Sequence, residues 1–455
     1  MNSLLVKGGR VIDPANVVDG LRDVLVRDGK VFAIEPVGIV AAPPGVPEID
    51  ARGLWIVPGL IDPHVHLRDP GFPEKETIAS GLRAAAAGGF TTVTAMANTN
   101  PVNDTPEVTH YMLERAHAAH SARLIPVSAI TRGLRGAELV DVTAMFDAGA
   151  GLFSDDGIPI DDLAVLRRAM SAIHPLGSAI SLHEEDRALS CGGALNAGAA
   201  QSRLRVTGYP SAAESERVRR DLELAIESKA AVHIAHVSTR ESIMVIREAR
   251  ARGACVTCEV TPHHLALADK AALRWGPNAK MNPPLRSCED IAALHEAIAD
   301  GTVDMLATDH APHDPGSKHL DTLARFFAPS HDADPLPVDA AEMFGAAANG
   351  VVGLETALGL ALRLVHNSLI DASRLVEMMS LNPAKLLRLD AGTLGRGARA
   401  DLTVIDPDVE WTVDPTRFHS RSRNTPFAGT QLRGRAKLTV VGGEIVYDAR
   451  REVPQ

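Results

Sequence analysis

The chain has 455 residues, 45% hydrophobic and 23% charged, which is a globular composition long enough for one barrel-sized domain plus a smaller one. Its 57 acidic against 46 basic residues leave a formal charge of −11, which argues against non-specific binding to nucleic acid or acidic membranes. No basic leader with an apolar core opens the chain, and no window offers the ~18 uninterrupted apolar residues of a membrane span. Of the four cysteines, Cys255 and Cys258 have CxxC spacing, but no second pair completes a zinc ribbon. Both are expected to pack within a β-run, in a reduced cytoplasmic compartment.

Residues 1–54 read as short strands: Leu4–Val6, Arg10–Ile12, Asp23–Val26 and Lys30–Ile34, punctuated by Gly8-Gly9, Asp13-Pro14 and Asp28-Gly29. The middle, 55–390, alternates apolar runs with alanine-rich helical stretches. The predicted strands are Leu54–Ile61, Thr91–Asn98, Arg123–Thr131, Ala150–Asp155, Ser178–His183, Val232–Val237, Ala254–Val260 and Asp304–Asp309. Helical runs between them include Ile78–Ala87, Pro106–His120, Leu163–His174, Glu214–Ser228 and Arg240–Arg252. Eight β/α units of this length predict a (β/α)8 TIM barrel. A doubly wound open sheet is the alternative, and no GxGxxG after a strand supports it. Strand-like texture returns at Asp401–Ile405 and Lys437–Val441, with Gly442-Gly443 before Glu444–Tyr447. The expected organisation is a small β-sandwich domain built from 1–54 plus 391–455, around a barrel at 55–390. A proline-interrupted insertion near 314–348, with Pro315, Pro329, Pro335 and Pro337, is expected to hold short helices at Leu320–Phe327 and Val338–Ala348 and to serve as lid or interface.

Catalytic groups of a parallel barrel sit at the carboxyl ends of its strands. The first strand ends in His64 and His66, two residues apart and so facing one side. Two neutral imidazoles converging on a point are half of a zinc site. The other strand ends supply Asn98, Asp155-Asp156, His183-Glu184-Glu185, His233 with His236, and Asp309-His310. Any one of these has a bland explanation as a core histidine or a turn acid. Their recurrence at one end of one barrel does not. Four imidazoles and two carboxylates suffice for two divalent ions about 3.5–4 Å apart. Such a pair, sharing a hydroxide, serves hydrolysis of an amide or its reversal. Arg68, two residues past His66, faces the same mouth, and its planar guanidinium suits a carboxylate.

Pro58-Gly59-Leu60-Ile61-Asp62-Pro63-His64-Val65-His66 resembles the opening of amidohydrolase-superfamily barrels. The stretches at His66–Gly71, Met96–Thr99, Phe153–Gly157, Glu259–Leu265, Lys280–Arg286 and Ala307–His313 resemble class I dihydroorotases. The resemblance runs over nearly the whole chain and departs only between about His313 and Ala348. It implies that His64 and His66 hold one metal and that His183 and His236 hold the second. Asp156 would bridge the two, and Asp309 would bind metal and shuttle the proton. It implies two zinc ions per subunit. It further implies substrate contacts from His66, Arg68, Asn98, Asn282 and His313, with Arg68, Asn98 and His313 on the substrate carboxylate. Asn349 and Gly350 fall where the family also touches substrate, although Phe usually precedes this glycine. The implied reaction is the reversible cyclisation of N-carbamoyl-L-aspartate to (S)-dihydroorotate, in de novo pyrimidine biosynthesis. A homodimer or larger assembly and an aspartate transcarbamoylase partner are implied as well.

Asp155, Glu184, Glu185 and His310 neighbour these residues and are expected to point away as supports, and His263 and His264 to buttress the site. Hydantoinases and dihydropyrimidinases share the barrel but generally bridge their metals with a carbamylated lysine from the fourth strand. The stretch 150–157 has no lysine, so the aspartate bridge is preferred. Dihydroorotase-like chains that only partner aspartate transcarbamoylase lack several metal residues, and this chain keeps all six.

Overall fold

The computed structural model describes residues 2–327 and 335–451. Eight parallel strands form the barrel: β1 Leu60–Val65, β2 Phe90–Ala95, β3 Arg123–Ser128, β4 Leu152–Phe153, β5 Ile180–Leu182, β6 Val232–Ile234, β7 Val256–Val260 and β8 Met305–Leu306. They are hydrogen-bonded in sequence order. The ring closes beyond β8, where Val65 bridges to His310 in parallel and the His66 N–H donates to the His310 carbonyl at 2.8 Å. Every residue of β1 and β2 is buried, as expected of strands covered on both faces. All eight predicted strands have a counterpart, and six of them end earlier than predicted.

The outer helices follow the sequence signals closely. Ile78–Ala87 opens on a Thr77/Ser80 capping box, and Leu163–Ile173 on the Asp162 carboxylate, which accepts from the Ala164 and Val165 amides. Pro106–Ala119, Ala212–Ser228 and Arg240–Ala251 complete the stretches read from periodicity.

The terminal strands form one further eight-stranded sheet. Its centre corrects one expectation. Leu54–Ile61 is not a single barrel strand. Trp55–Pro58 belongs to the terminal sheet, pairing in parallel with Leu4–Asp13 and antiparallel with Leu402–Thr412. The chain crosses into the barrel at Gly59, where a Cβ would lie 2.2 Å from Thr91 Oγ1, so only glycine permits the approach. Trp55–Pro58 therefore joins the amino-terminal strands to the carboxyl-terminal ones. Val24, Val26 and Val31 from one end of the strand order share a core with Leu438 and Val440 from the other, so the sheet curls around a single interior. Within the barrel, Cys258 is buried while Cys255, just before β7, is exposed. The second thiol of the pair packs and the first does not.

The proline-rich segment after β8 holds helices at Leu320–Leu323 and Val338–Ala346, with a 3-10 turn at Ala324–Phe326. Pro329 and the rest of 328–334 lie outside the described residues. Leu323, Phe327, Leu336 and Phe344 pack against Leu195, Leu204 and Leu285 on neighbouring loops. Two buried lysines bind the segment to the loop before Asn282. Lys318 Nζ donates to the Pro277 carbonyl at 2.7 Å, and Lys280 Nζ donates to the Gly345 carbonyl at 2.7 Å.

Candidate active site

The predicted residues gather at the carboxyl ends of the strands. Asp156, just past β4, lies at the centre. Its Oδ1 is 3.5 Å from His64 Nε2, 3.7 Å from His183 Nδ1 and 3.6 Å from His236 Nε2, and its Oδ2 is 3.5 Å from His66 Nε2. Two groups of side chains could each hold a metal ion: His64, His66 and Asp156, and Asp156, His183 and His236. All five residues are buried. Asp156 is common to both groups, the position a bridging carboxylate must occupy. Asp309 Oδ1 lies 3.0 Å from His66 Nε2 and 3.6 Å from His64 Nε2.

The donor set fits a cation. His64 Nε2 and Asp156 Oδ1 are buried and have no hydrogen-bond partner among the described residues, an arrangement that costs roughly 1–3 kcal/mol per group unless something else satisfies it. His183 Nδ1 and His236 Nε2 face each other at 2.9 Å, two ring nitrogens converging where a cation would be shared. Imidazole nitrogen with carboxylate oxygen suits zinc and several other divalent ions.

Three of the four histidines are oriented from behind. His64 Nδ1 lies 2.7 Å from Glu259 Oε1, so the N–H donates to that carboxylate and Nε2 keeps its lone pair for the site. Glu259, the penultimate residue of β7, is fully buried and also meets His233 Nε2 at 3.1 Å. Burial would raise its carboxyl, but His64 and His233 hold it down at about 2. His66 Nδ1 donates to Asn98 Oδ1 at 2.9 Å. His183 Nε2 lies 3.4 Å from Glu185 Oε2, which also accepts from Asn282 Nδ2 at 3.0 Å. Glu185 therefore turns toward the site, contrary to the expectation that it points away, because it stands two residues past His183 and shares its side of the chain. Sequence reading passed over Glu259 and His233 as functional residues. The available signal was a lone carboxylate in the otherwise apolar β7.

Electrostatics follow the same geometry. Burial opposes ionisation of Asp156, yet His64, His183 and His236 hold its carboxyl well below the usual range. The same contest at Asp309 is won by His64 and His66, so it too is an anion. His183 loses charge to burial but gains more from Asp156 and Glu185, which raise it to about 9. Arg68, His236 and Asp309 all have left-handed backbone, with φ of 59°, 35° and 46°. Such conformations cost about 1–3 kcal/mol each in non-glycine residues and cluster at functional sites.

A cavity of about 230 Å³ lies over this centre. His66, Arg68, Asn98, Asp156, His183, His236, Asn282, Asp309, His313, Asn349 and Gly350 all line it. Arg68 Nη2 is 3.3 Å from His313 Nε2, placing the two side by side at the rim. Burial and the Arg68 charge push His313 down to about 2, so it is a neutral imidazole. Gly350 is buried and Asn349 exposed. Among the described residues, no lysine lines the cavity.

The remaining predicted supports are all buried around the site. Asp155 turns away and accepts from the Ile130 and Thr131 amides at 2.7 and 3.0 Å. Glu184 is buried beside Arg217 at 3.9 Å. His310 stands 3.5 Å from Glu76. His264 bridges Thr261 Oγ1 and the Pro283 carbonyl, steadying the loop that carries Asn282. His263 is buried next to it and does not line the cavity.

A parallel barrel that gathers four histidines and two aspartates under a substrate-sized cavity defines an amidohydrolase. Comparisons with known proteins agree. Residues 53–242 match the dihydro-orotase-like family and residues 331–447 the amidohydrolase family. A dihydroorotase of Anaeromyxobacter dehalogenans strain 2CP-1 is 48% identical over 447 residues, 98% of each chain. One of Citrifermentans bemidjiense is 45% identical over 447 residues, 98% of this chain and 100% of that one. The chain belongs to the dihydroorotase family. Among solved structures, L-hydantoinase (dihydropyrimidinase) from Arthrobacter aurescens superposes with a TM-score of 0.85 at 27% identity, covering 98% of this chain and 96% of that one. Among the described residues, no helix is long and apolar enough to cross a membrane.

Proposed function

We propose that this chain is a class I dihydroorotase that interconverts N-carbamoyl-L-aspartate and (S)-dihydroorotate with two zinc ions. The observation that carries the reading is Asp156, a carboxylate set between two histidine pairs at the end of β4. The full-length likeness to dihydroorotases supports the substrate. In this reading His64 and His66 would hold one ion and His183 and His236 the other, with Asp156 shared by both pairs and Asp309 beside the first. Two divalent ions at such a site activate a water and polarise the scissile carbonyl.

The chain's own residues do the rest. Arg68, Asn98 and His313 hold the substrate carboxylate at the rim. Arg68 supplies the charge. Asn98, whose Oδ1 is committed to His66, presents its amide N–H groups. His313, being neutral, offers one N–H donor. Asn282 addresses the ring, steadied by Glu185, and Asn349 and Gly350 close the opposite wall. In ring opening, Asp309 accepts the proton of the attacking water at its carboxylate and passes it to the leaving ring nitrogen. The C–N bond of the ring amide breaks as the new C–O bond forms. Ring closure consumes a proton and releases water, so acid favours dihydroorotate.

Chelated protein, restored with zinc and assayed spectrophotometrically on dihydroorotate, should regain ring opening. Restored activity on hydantoin or dihydrouracil with none on dihydroorotate would replace this reading with a hydantoinase-like one, which the fold also accommodates.

A further inference from the structure

Residues 419–425 connect two strands of the terminal sheet, Leu402–Thr412 and Gln431–Val441, and lie against the catalytic end of the barrel. Their side chains are polar yet buried. Ser420, Ser422, Asn424 and Thr425 are each under 5% exposed. Burying hydroxyls and amides is unfavourable unless each finds a partner, and for Ser420, Ser422 and Asn424 the partners belong to the loops that carry the candidate site.

Asn424 makes the densest set. Its Nδ2 donates to the Ala311 carbonyl at 3.0 Å and to the Gly350 carbonyl at 3.1 Å. Its Oδ1 accepts from the His313 amide at 3.0 Å. Its own carbonyl accepts from the Val352 amide at 3.0 Å. One side chain thus saturates three main-chain groups on two separate segments, both of which line the cavity. Those segments are in contact at a point with no slack. Gly350 has φ of +108°, and a Cβ there would meet the Ala311 Cβ at 2.4 Å. Nearby, the Ser420 hydroxyl and the Arg421 amide bind Glu76, at the end of the loop that also carries Arg68.

We propose that Asn424 is a positioning residue for the substrate-carboxylate side of the active site. By fixing the main chain at Ala311, His313 and Gly350, it sets the distance between the His313 imidazole and the opposite wall of the cavity. None of its bonds reaches His64, His66, Asp156, His183 or His236, so metal binding should be independent of it. The proposal rests on the dihydroorotase reading for its substrate, and it gives the curled terminal sheet a part in recognition.

The test compares Asn424→Ala and the isosteric Asn424→Asp with Thr425→Ala. Thr425 is buried on the same connection, and its hydroxyl accepts only from the Phe427 amide in its own turn. In the zinc-restored enzyme, both Asn424 variants should raise the KM for dihydroorotate by about tenfold or more, the scale expected for losing hydrogen bonds that fix a binding group. Zinc content should be unchanged and kcat within about threefold. Amide hydrogen exchange should quicken at 311–313 and 349–352 in Asn424→Ala. Thr425→Ala should lower the melting temperature without moving KM. If Asn424→Ala does not fold, Asn424→Asp carries the measurement, because it keeps the shape and the His313 acceptor while losing both donors. An unchanged KM in Asn424→Asp, or an equal KM rise in Thr425→Ala, would overturn the proposal. Wild-type protein inactive on dihydroorotate would overturn the substrate reading instead, and the exchange data would still report whether Asn424 holds these segments.

Discussion

Glu259→Gln tests whether the candidate centre is tuned from beneath. The carboxylate accepts from His64 Nδ1 at 2.7 Å and from His233 Nε2 at 3.1 Å, fully out of water. A glutamine of the same length can accept at one end only. Facing its NH2 toward His64 would force that imidazole into the other tautomer and aim an N–H at Asp156, which would abolish ligation. Facing it toward His233 is the cheaper choice, since His233 can donate from Nδ1 to Thr257 Oγ1, 2.8 Å away. The variant should therefore fold and keep His64 in its productive tautomer. It loses the negative charge that strengthens the imidazole as a donor to metal. Losing such a partner typically weakens metal affinity 10- to 100-fold, or about 1.4–2.7 kcal/mol. Competition with a chromophoric chelator measures the zinc affinity directly, and turnover at saturating zinc shows how much activity the metal alone restores. A folded Glu259→Gln protein with wild-type zinc affinity would refute the reasoning, since His64 would then need no partner behind it.

Four further outcomes follow from the geometry. Asp309→Ala should retain most of its zinc, because His64, His66 and Asp156 remain, and should lose about 10²–10⁴-fold in kcat, the usual worth of a positioned proton acceptor; wild-type rates would remove Asp309 from that role. Asp155→Ala should keep its metal but lose roughly 2–4 kcal/mol of stability, because two buried amides and the Thr131 hydroxyl lose their acceptor. Asp156→Ala should bind no bridged pair, and zinc counts in the opposite order would exchange the two assignments. His183, raised to about 9 by Asp156 and Glu185 against burial, stabilises the metal-free protein fully below its ordinary value of 6.5. That contribution is lost as pH rises through about 9. Melting of chelated protein should drop by several degrees across that window, less so in His183→Asn, and added zinc should offset the drop because it takes the neutral imidazole. A flat profile in the chelated wild type would contradict the assignment.

Much of this site was legible because its candidate ligands obey short-range geometry. His64 and His66 stand two apart where an apolar strand ends, and Asp156, His183, His236 and Asp309 follow β4, β5, β6 and β8 in the same way. The eight-strand count held for a similar reason, since buried parallel strands show as runs of apolar residues. The places where expectation failed involve partners far away in sequence. Nothing in the apolar run from Leu54 to Ile61 says that its first half pairs with residues 402–405, and only the close contact at Gly59 divides it. Glu185 was expected to face away as a neighbour of the site, yet it stands two residues past His183, the same spacing that turns His64 and His66 to one side.

Glu259 and Asn424 show the same limit from the other side. Glu259 reads as one acid in a strand, and Asn424 as part of a polar turn among arginines and serines. Both are buried because of main-chain and imidazole groups that fold back from more than a hundred residues away. The candidate ligands of this centre are fixed by where strands end, which a local pattern can reveal. Their orientation is fixed by which distant polar groups require a partner once water is gone, and that requirement becomes visible only when the barrel and the terminal sheet are assembled together.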